Sequence, residues 1–213
     1  IAVLGGKYSP VIVEMLPEAQ RLQVPLISVW GSADPITDHD QTPSYTFRVS
    51  LKDAWGVEAM MKRLSSKYSA RQACAILPNT AWGRSAERVI QQKSVSNHIR
   101  FPVVRWYNWG DTSLVKLYQE LRGAGAQALV LVANETEGSI LVKELAALPA
   151  TERLPIVSHW GVTGGDFARM TGPALDQIDF SIIQTYSFMG QSRPAAQRAN
   201  ALDDALLPKA AAL

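Results

Sequence analysis

Short apolar runs alternate with amphipathic stretches along almost the whole chain. The apolar runs predict strands at residues 2–4, 24–30, 45–49, 73–77, 101–106, 128–133, 156–158 and 180–185. Between them, apolar positions recur at helical spacing and predict helices at residues 9–22, 53–65, 80–92, 112–122, 136–148 and 166–170. The strands are nearly continuous apolar runs, as expected of parallel strands covered on both faces. The pattern therefore predicts an α/β fold built from βαβ units.

A polar stretch at residues 67–71 separates these units into two sets. We expect an N-terminal lobe at residues 1–68 and a C-terminal lobe at residues 69–187, each a doubly wound parallel sheet. The chain is then expected to cross back, so that residues 188–213 return toward the N-terminal lobe. Residues 194–213 are rich in alanine, which is compatible with a helix.

Composition excludes several classes of protein. Of the 213 residues, 47% are hydrophobic and 19% are charged, which is ordinary for a globular protein and excludes a disordered one. The formal net charge is +2 and no basic run exceeds the pair Lys62 and Arg63, so we expect no nucleic-acid partner. No apolar run reaches the roughly 18 residues that predict a membrane helix. The single cysteine, Cys74, lies in an apolar run and is expected to act as a small buried hydrophobe.

Little in the sequence favours catalysis. His39, His98 and His159 lack the spacing of metal ligands, so no metal site is expected. The glycines at residues 161–165 lack the Gly-Lys-Ser/Thr ending of a phosphate loop, and the chain contains no Gly-x-Ser-x-Gly elbow. We therefore expect a protein that is not an enzyme and that uses no cofactor.

Polar groups follow the first two predicted strands. In open α/β sheets, ligands collect at the carboxyl ends of the strands. Ser9, preceded by Tyr8, offers a hydroxyl beside the free amides of a helix start, which suits a carboxylate. An ordinary helix cap is the alternative for Ser9. Gly31 and Ser32 follow the second strand and offer an amide and a hydroxyl, with a surface loop as the alternative.

Tryptophans also lie at strand ends. Trp30, Trp82 and Trp160 all fall at predicted strand ends or helix starts, and aromatic walls bind apolar, aromatic or cationic groups. For Trp82, packing on its own lobe is the alternative. Asn134 and Glu135 end a further strand and suit an ammonium or hydroxyl group, although Asn134 is equally suited to cap the next helix.

An ordered set of motifs covers nearly all of residues 1–186. Its members are residues 5–10 (GGKYSP), 24–28 (VPLIS), 47–53 (FRVSLKD), 82–84 (WGR) and 123–130 (GAGAQALV). The set resembles the type I periplasmic binding proteins, in the branch that contains the leucine/isoleucine/valine-binding proteins. The resemblance implies two lobes joined by a hinge that closes on a ligand. It also implies that the chain is incomplete at both ends.

The resemblance assigns roles to several of these residues. Ser9 and Ser32 match residues that hold an amino-acid carboxylate, and Gly31 adds backbone groups. Trp82 matches an aromatic residue that covers the ligand from the other lobe. Asn134 falls at a second contact from that lobe.

Trp160 departs from the pattern of the family. It matches a position where amino-acid binders often place an acidic residue for the α-ammonium group. Either Glu135 takes over that contact, or the ligand has no ammonium group. In the second case the three tryptophans suggest an aromatic or hydrophobic carboxylate.

The function that the resemblance implies is solute binding for an ABC importer. Such a protein is extracytoplasmic, periplasmic or lipid-anchored, and hands a small molecule to a membrane permease. The alternative is the ligand-sensing domain of a signalling receptor with the same fold. A transmembrane helix and a signalling domain downstream of this chain would distinguish the two.

Overall fold

A computed structural model describes residues 1–184. Strands β1 to β8 are Val3–Leu4, Leu26–Ser28, Thr46–Arg48, Ala73–Pro78, Val104–Tyr107, Ala128–Leu131, Ile156–Ser158 and Phe180–Ile182. Helices α1 to α6 are Ser9–Leu22, Asp53–Tyr68, Ala81–Lys93, Val115–Gly123, Glu135–Ala146 and Phe167–Thr171. Each strand and helix predicted before residue 184 is confirmed, with ends that differ by a few residues. The predicted return segment at residues 188–213 lies outside the described residues.

The first sheet is small and parallel. Its strand order is β1-β2-β3, with Val3 opposite Leu26 and Leu26 opposite Thr46. Helix α1 covers this sheet because its apolar side chains recur at helical spacing and face inward. The buried core beneath it comprises Ile12, Leu16, Leu26, Ala33 and Ile36.

The second sheet is also parallel and is covered on both faces. Its strand order is β5-β4-β6-β7-β8. Successive residues of a strand point to opposite faces, so Ala73 and Ala75 of β4 face one core while Cys74 and Ile76 face the other. Both faces are therefore buried, which confirms the predicted doubly wound α/β fold. It also confirms that Cys74 packs as a buried hydrophobe.

Helix α2 packs with the second sheet. Its buried residues Val57, Met60 and Leu64 share a core with Ala73 and Ala75 of β4. The predicted lobe boundary at residue 68 had given this helix to the first lobe. That boundary stays a prediction, and the packing of α2 favours a division ahead of Asp53 instead.

Residues Ile1–Ile183 form one compact unit that contains both sheets. Within residues 1–184, no helix has the combined length and apolar character needed to cross a membrane. Because every strand pairing described is parallel, the loops after the strands of each sheet emerge at one edge of that sheet. These loops carry the site.

Candidate functional site

The loops after β1, β2, β6 and β7 and the first turns of α1 and α3 line one pocket, called here the central pocket. Its free volume is about 10 Å³, which is room for about one water molecule. A solute therefore enters only when side chains move or the two sheets separate. The lining includes every predicted site residue except Glu135, and comprises Lys7, Tyr8, Ser9, Trp30, Gly31, Ser32, Trp82, Asn134, His159, Trp160 and Gly161.

The first-sheet face of the pocket consists of Ser9, Trp30, Gly31 and Ser32. The Ser9 hydroxyl oxygen accepts hydrogen bonds from the amides of Ser32 at 3.0 Å and Ala33 at 3.2 Å. Ser9 is the first residue of α1, and its hydroxyl joins that helix to the loop after β2. The alternative in which Ser9 caps the helix is wrong, since Tyr8 holds the cap position. The Ser32 amide is likewise engaged, so each of these two serines offers its hydroxyl proton on this face.

The second-sheet face consists of Trp82, Asn134, His159, Trp160 and Gly161. The Trp160 ring stacks on His159 with 3.5 Å between centroids, and Trp82 meets His159 edge-on at 5.0 Å. A Cβ atom at Gly161 would lie 2.5 Å from Trp82 Cη2 and 2.5 Å from the Ala133 carbonyl oxygen. The lack of a side chain at this position allows the indole to approach the backbone. Trp82 thus both packs in a core of the second sheet and lines the pocket.

One donor on the second-sheet face is buried without a partner. Within residues 1–184, Trp82 Nε1 makes no hydrogen bond, whereas His159 Nε2 faces Asp53 Oδ1 at a distance of 3.5 Å. Such unpaired donors are rare because burying a polar group without a hydrogen bond costs free energy. The Trp82 indole N–H is therefore available to a ligand on this face.

His159 is held as the neutral imidazole. Its Nδ1 accepts a hydrogen bond from the Gly161 amide at 3.2 Å, so the ring proton is on Nε2, which lies 3.5 Å from Asp53 Oδ1. Burial lowers the pKa of His159, and the nearby Asp53 carboxylate opposes this effect without overcoming it. His159 was not among the predicted site residues, and only its place beside Trp160 at the end of β7 pointed to it.

Glu135 lies outside the central pocket and is already paired. Lys7 Nζ donates to Glu135 Oε1 at 2.8 Å, to Oε2 at 3.1 Å and to the Gly164 carbonyl at 3.1 Å. This ion pair joins the loop after β1 to the start of α5. Sequence analysis did not assign a role to Lys7, whose only signal was its place in the motif that contains Ser9.

A second cavity, called here the vestibule, adjoins the central pocket and shares Tyr8 and Asn134 with it. It has a volume of about 180 Å³. The Tyr8 ring contacts Trp109, which follows β5, with 5.1 Å between centroids. Trp109 was also missed by sequence analysis. The lining comprises Tyr8, Trp109, Asn134, Glu135, Thr136 and Glu137.

Known structures share this fold. LivJ, a branched-chain amino acid transporter substrate-binding protein from Streptococcus pneumoniae in complex with isoleucine, is 19% identical with a TM-score of 0.73, over 95% of this chain and 56% of that chain. A type 1 periplasmic binding protein from Bordetella pertussis is 17% identical with a TM-score of 0.78, over 96% of this chain and 55% of that chain. An ABC-transporter solute-binding protein from R. palustris in complex with benzoate is 18% identical with a TM-score of 0.71, over 81% of this chain and 47% of that chain.

This chain thus spans about half the length of those structures, and at these identities the likeness shows the fold. A search of curated proteins finds no match. The family model for periplasmic binding proteins, in contrast, matches residues 1–205. With that match and the shared fold, the chain belongs to the periplasmic binding protein family and has the type I fold of the leucine/isoleucine/valine-binding proteins.

Proposed function

We propose that this chain is the binding part of an extracytoplasmic solute-binding protein that delivers a small carboxylate to the permease of an ABC importer. The observation that carries the proposal is the convergence of Ser9 and Ser32 with Trp82 and Trp160 on one buried pocket. These residues come from separate strand ends in two sheets. The location outside the cytoplasm follows from the family rather than from any feature of residues 1–184.

The polar groups around the central pocket favour an anion. Ser9 and Ser32 have hydroxyl protons to donate, and Trp82 Nε1 is a buried donor without a partner among residues 1–184. Lys7 adds a positive charge at the edge of the pocket, although Glu135 neutralises it. None of the residues that line the central pocket is acidic. A carboxylate accepts several such hydrogen bonds at once.

The apolar groups favour an aromatic or hydrophobic solute. Trp30, Trp82 and Trp160 all line the central pocket, and aromatic side chains bind ring-shaped solutes through area and stacking. An α-amino acid is the second candidate, because LivJ is in complex with isoleucine, whereas the R. palustris protein is in complex with benzoate. The pairing of Glu135 with Lys7 favours the aromatic carboxylate, because it removes the residue that would bind an ammonium group.

Calorimetric titration tests the proposal with benzoate, isoleucine and the uncharged analogue benzamide. We expect benzoate to bind at one site, isoleucine more weakly and benzamide at least about tenfold more weakly, since the hydroxyl and indole donors favour a charged acceptor. At a concentration of 100 times its Kd, the ligand should raise the free energy of unfolding by about 2.7 kcal/mol. The absence of both heat and thermal stabilisation with every carboxylate would refute solute binding of this kind.

A serine variant locates the carboxylate. Ser32→Ala should reduce benzoate affinity by about 1 kcal/mol through loss of one hydrogen bond to a charged group. Ser66→Ala, on the exposed surface of α2, is the matched control and should leave the affinity unchanged. Equal losses in the two variants would argue against a carboxylate at Ser32.

A further inference from the structure

The vestibule contains a buried carboxylate that the proposed function does not use. Glu137 is 5% exposed and lies in the first turn of α5. No residue within 1–184 donates a hydrogen bond to its carboxylate or forms an ion pair with it, although it lines a cavity of about 180 Å³. Buried carboxylates are rarely left without a partner, because removal from water disfavours the charged form. Glu137 is therefore an unpaired group that faces an open cavity.

The other charges near the vestibule do not compensate Glu137. Lys7 is engaged by both oxygens of Glu135 and by the Gly164 carbonyl. Asp111, on the loop after β5 that also carries Trp109, accepts a hydrogen bond from the Asn108 amide and offers no positive charge. The amides at the start of α5 stabilise a negative charge in general, but their dipole is a partial charge and is equally available to Glu135. Within residues 1–184, Glu137 therefore has no cationic partner at this end of α5.

Aromatic rings complete the lining. Trp109 is 38% exposed and Tyr8 is 39% exposed, so both rings are accessible from the vestibule. Lys7 Nζ already lies 5.5 Å from the centroid of the Tyr8 ring, which shows that a cation is tolerated against this wall. No lysine or arginine of residues 1–184 lies over the Trp109 ring. The indole is the aromatic group that attracts cations most strongly.

We propose that the vestibule is a binding site for a primary ammonium group, held by the Glu137 carboxylate and the Trp109 ring. A carboxylate accepts hydrogen bonds from the ammonium N–H groups, and the indole face attracts the positive charge and the adjoining methylene group. A calcium ion suits the site less well, because Ca²⁺ takes about six to eight oxygen ligands. The vestibule offers far fewer, since the Glu135 oxygens are bound to Lys7.

The site lies outside the central pocket, so its test does not depend on which solute that pocket binds. The probe is n-butylammonium chloride, with n-butanol and sodium chloride at equal concentrations as controls. The readout is the indole N–H resonance of Trp109 in a nitrogen–proton correlation spectrum, identified by its absence in Trp109→Phe. We expect n-butylammonium to move this resonance in a saturable manner and the two controls to leave it in place.

Glu137→Gln should weaken n-butylammonium binding by about tenfold, because it removes the charge and keeps the shape. Glu14→Gln, an exposed position on α1, should leave the binding unchanged. Circular dichroism melting verifies that both variants fold. If Glu137→Gln does not fold, Trp109→Leu replaces it as the test variant. Trp109→Leu should weaken n-butylammonium binding by about fivefold, as measured by calorimetry.

Equal affinity in wild type and Glu137→Gln, or a saturable shift with sodium chloride, would overturn the vestibule site. Benzoate binding, followed in the same samples, separates the two proposals. Its retention in Glu137→Gln shows that only the ammonium site was lost. Its absence from the wild type counts against the central pocket alone.

Discussion

The two faces of the central pocket differ in how their polar atoms are satisfied. On the first-sheet face, Ser9 accepts from two amides, and the Gly31 carbonyl accepts from Ser28 Oγ at 3.2 Å and Ser50 Oγ at 2.6 Å. On the second-sheet face, Trp82 Nε1 is buried without a partner within residues 1–184, and His159 Nε2 faces Asp53 Oδ1 at 3.5 Å. The first face is thus a preformed anchor, whereas the Trp82 donor of the second face gains a hydrogen bond only from a ligand or water. Removal of that donor should therefore affect binding more than it affects folding.

The largest expected effect is steric. Gly161→Ala places a Cβ atom 2.5 Å from the Ala133 carbonyl oxygen and 2.5 Å from Trp82 Cη2, so backbone and indole have to move. We expect a loss of about 1–3 kcal/mol in unfolding free energy, the usual cost of overpacking, together with a loss of benzoate binding. Urea unfolding and calorimetry measure the two effects.

Gly123→Ala is the control for this substitution, since a Cβ atom at Gly123 meets nothing within 4 Å. It should leave benzoate affinity unchanged. If Gly161→Ala behaves like Gly123→Ala in both measurements, the close packing of Trp82 against the loop after β7 does not constrain the second-sheet face.

The next effect isolates one hydrogen-bond donor. Trp82→Phe keeps an aromatic ring but removes Nε1, the unpaired donor. We expect benzoate affinity to fall about tenfold, equivalent to about 1.4 kcal/mol, with a smaller change in stability. Trp55→Phe, at a position 58% exposed, should leave the affinity unchanged. A wild-type affinity in Trp82→Phe would mean that the indole acts through its area alone.

The pH dependence of the free energy of unfolding distinguishes the two faces, because His159 lies on the second-sheet face. Burial lowers the pKa of His159 below its ordinary value of 6.5, so the unfolded chain takes up the proton first as the pH falls. The contribution of neutral His159 is complete above pH 6.5 and is lost as the pH falls from there toward the lowered pKa, with a slope of at most about 1.4 kcal/mol per pH unit.

Urea unfolding between pH 5 and 7.5, a window of about 2.5 units chosen to avoid most carboxylate titration, measures this slope. His159→Asn, whose side-chain oxygen can still accept from the Gly161 amide, should remove it. Ser9→Ala on the first-sheet face should retain it. A slope that persists in His159→Asn would place the responsible group elsewhere.

The smallest effect concerns the ion pair that links the faces at their edge. Lys7 and Glu135 side chains are 29% and 19% exposed, so their pairing should stabilise the fold by about 0.5 kcal/mol. A double-mutant cycle of Lys7→Met and Glu135→Gln measures the coupling free energy. It should shrink in about 1 M salt, where the Debye length is about 3 Å. A coupling of zero at low salt would show that the pair contributes nothing to the stability of the fold.

The local pattern of apolar and polar positions was sufficient to predict the fold class and most of the residues of the site. Strands β4 and β6 are buried on both faces, and such strands are recognisable as short apolar runs between helical periods. Because parallel strands end at one edge of a sheet, residues just after them, such as Ser9, Ser32 and Trp160, were expected to be neighbours. The positions of these residues just after predicted strands were therefore enough to predict that they line one pocket.

Tertiary structure alone decided which groups pair. Glu135 was a candidate to bind an ammonium or hydroxyl group of a ligand, yet its partner is Lys7, which lies 128 residues earlier in the chain. The hydroxyl of Ser9 bonds to amides 23 and 24 residues away, and α2 packs on the second sheet. A periodic pattern reports which side of its own helix or strand a residue occupies. It does not report which residues, distant in the sequence, pack against that side, because the packing of the whole core fixes those contacts.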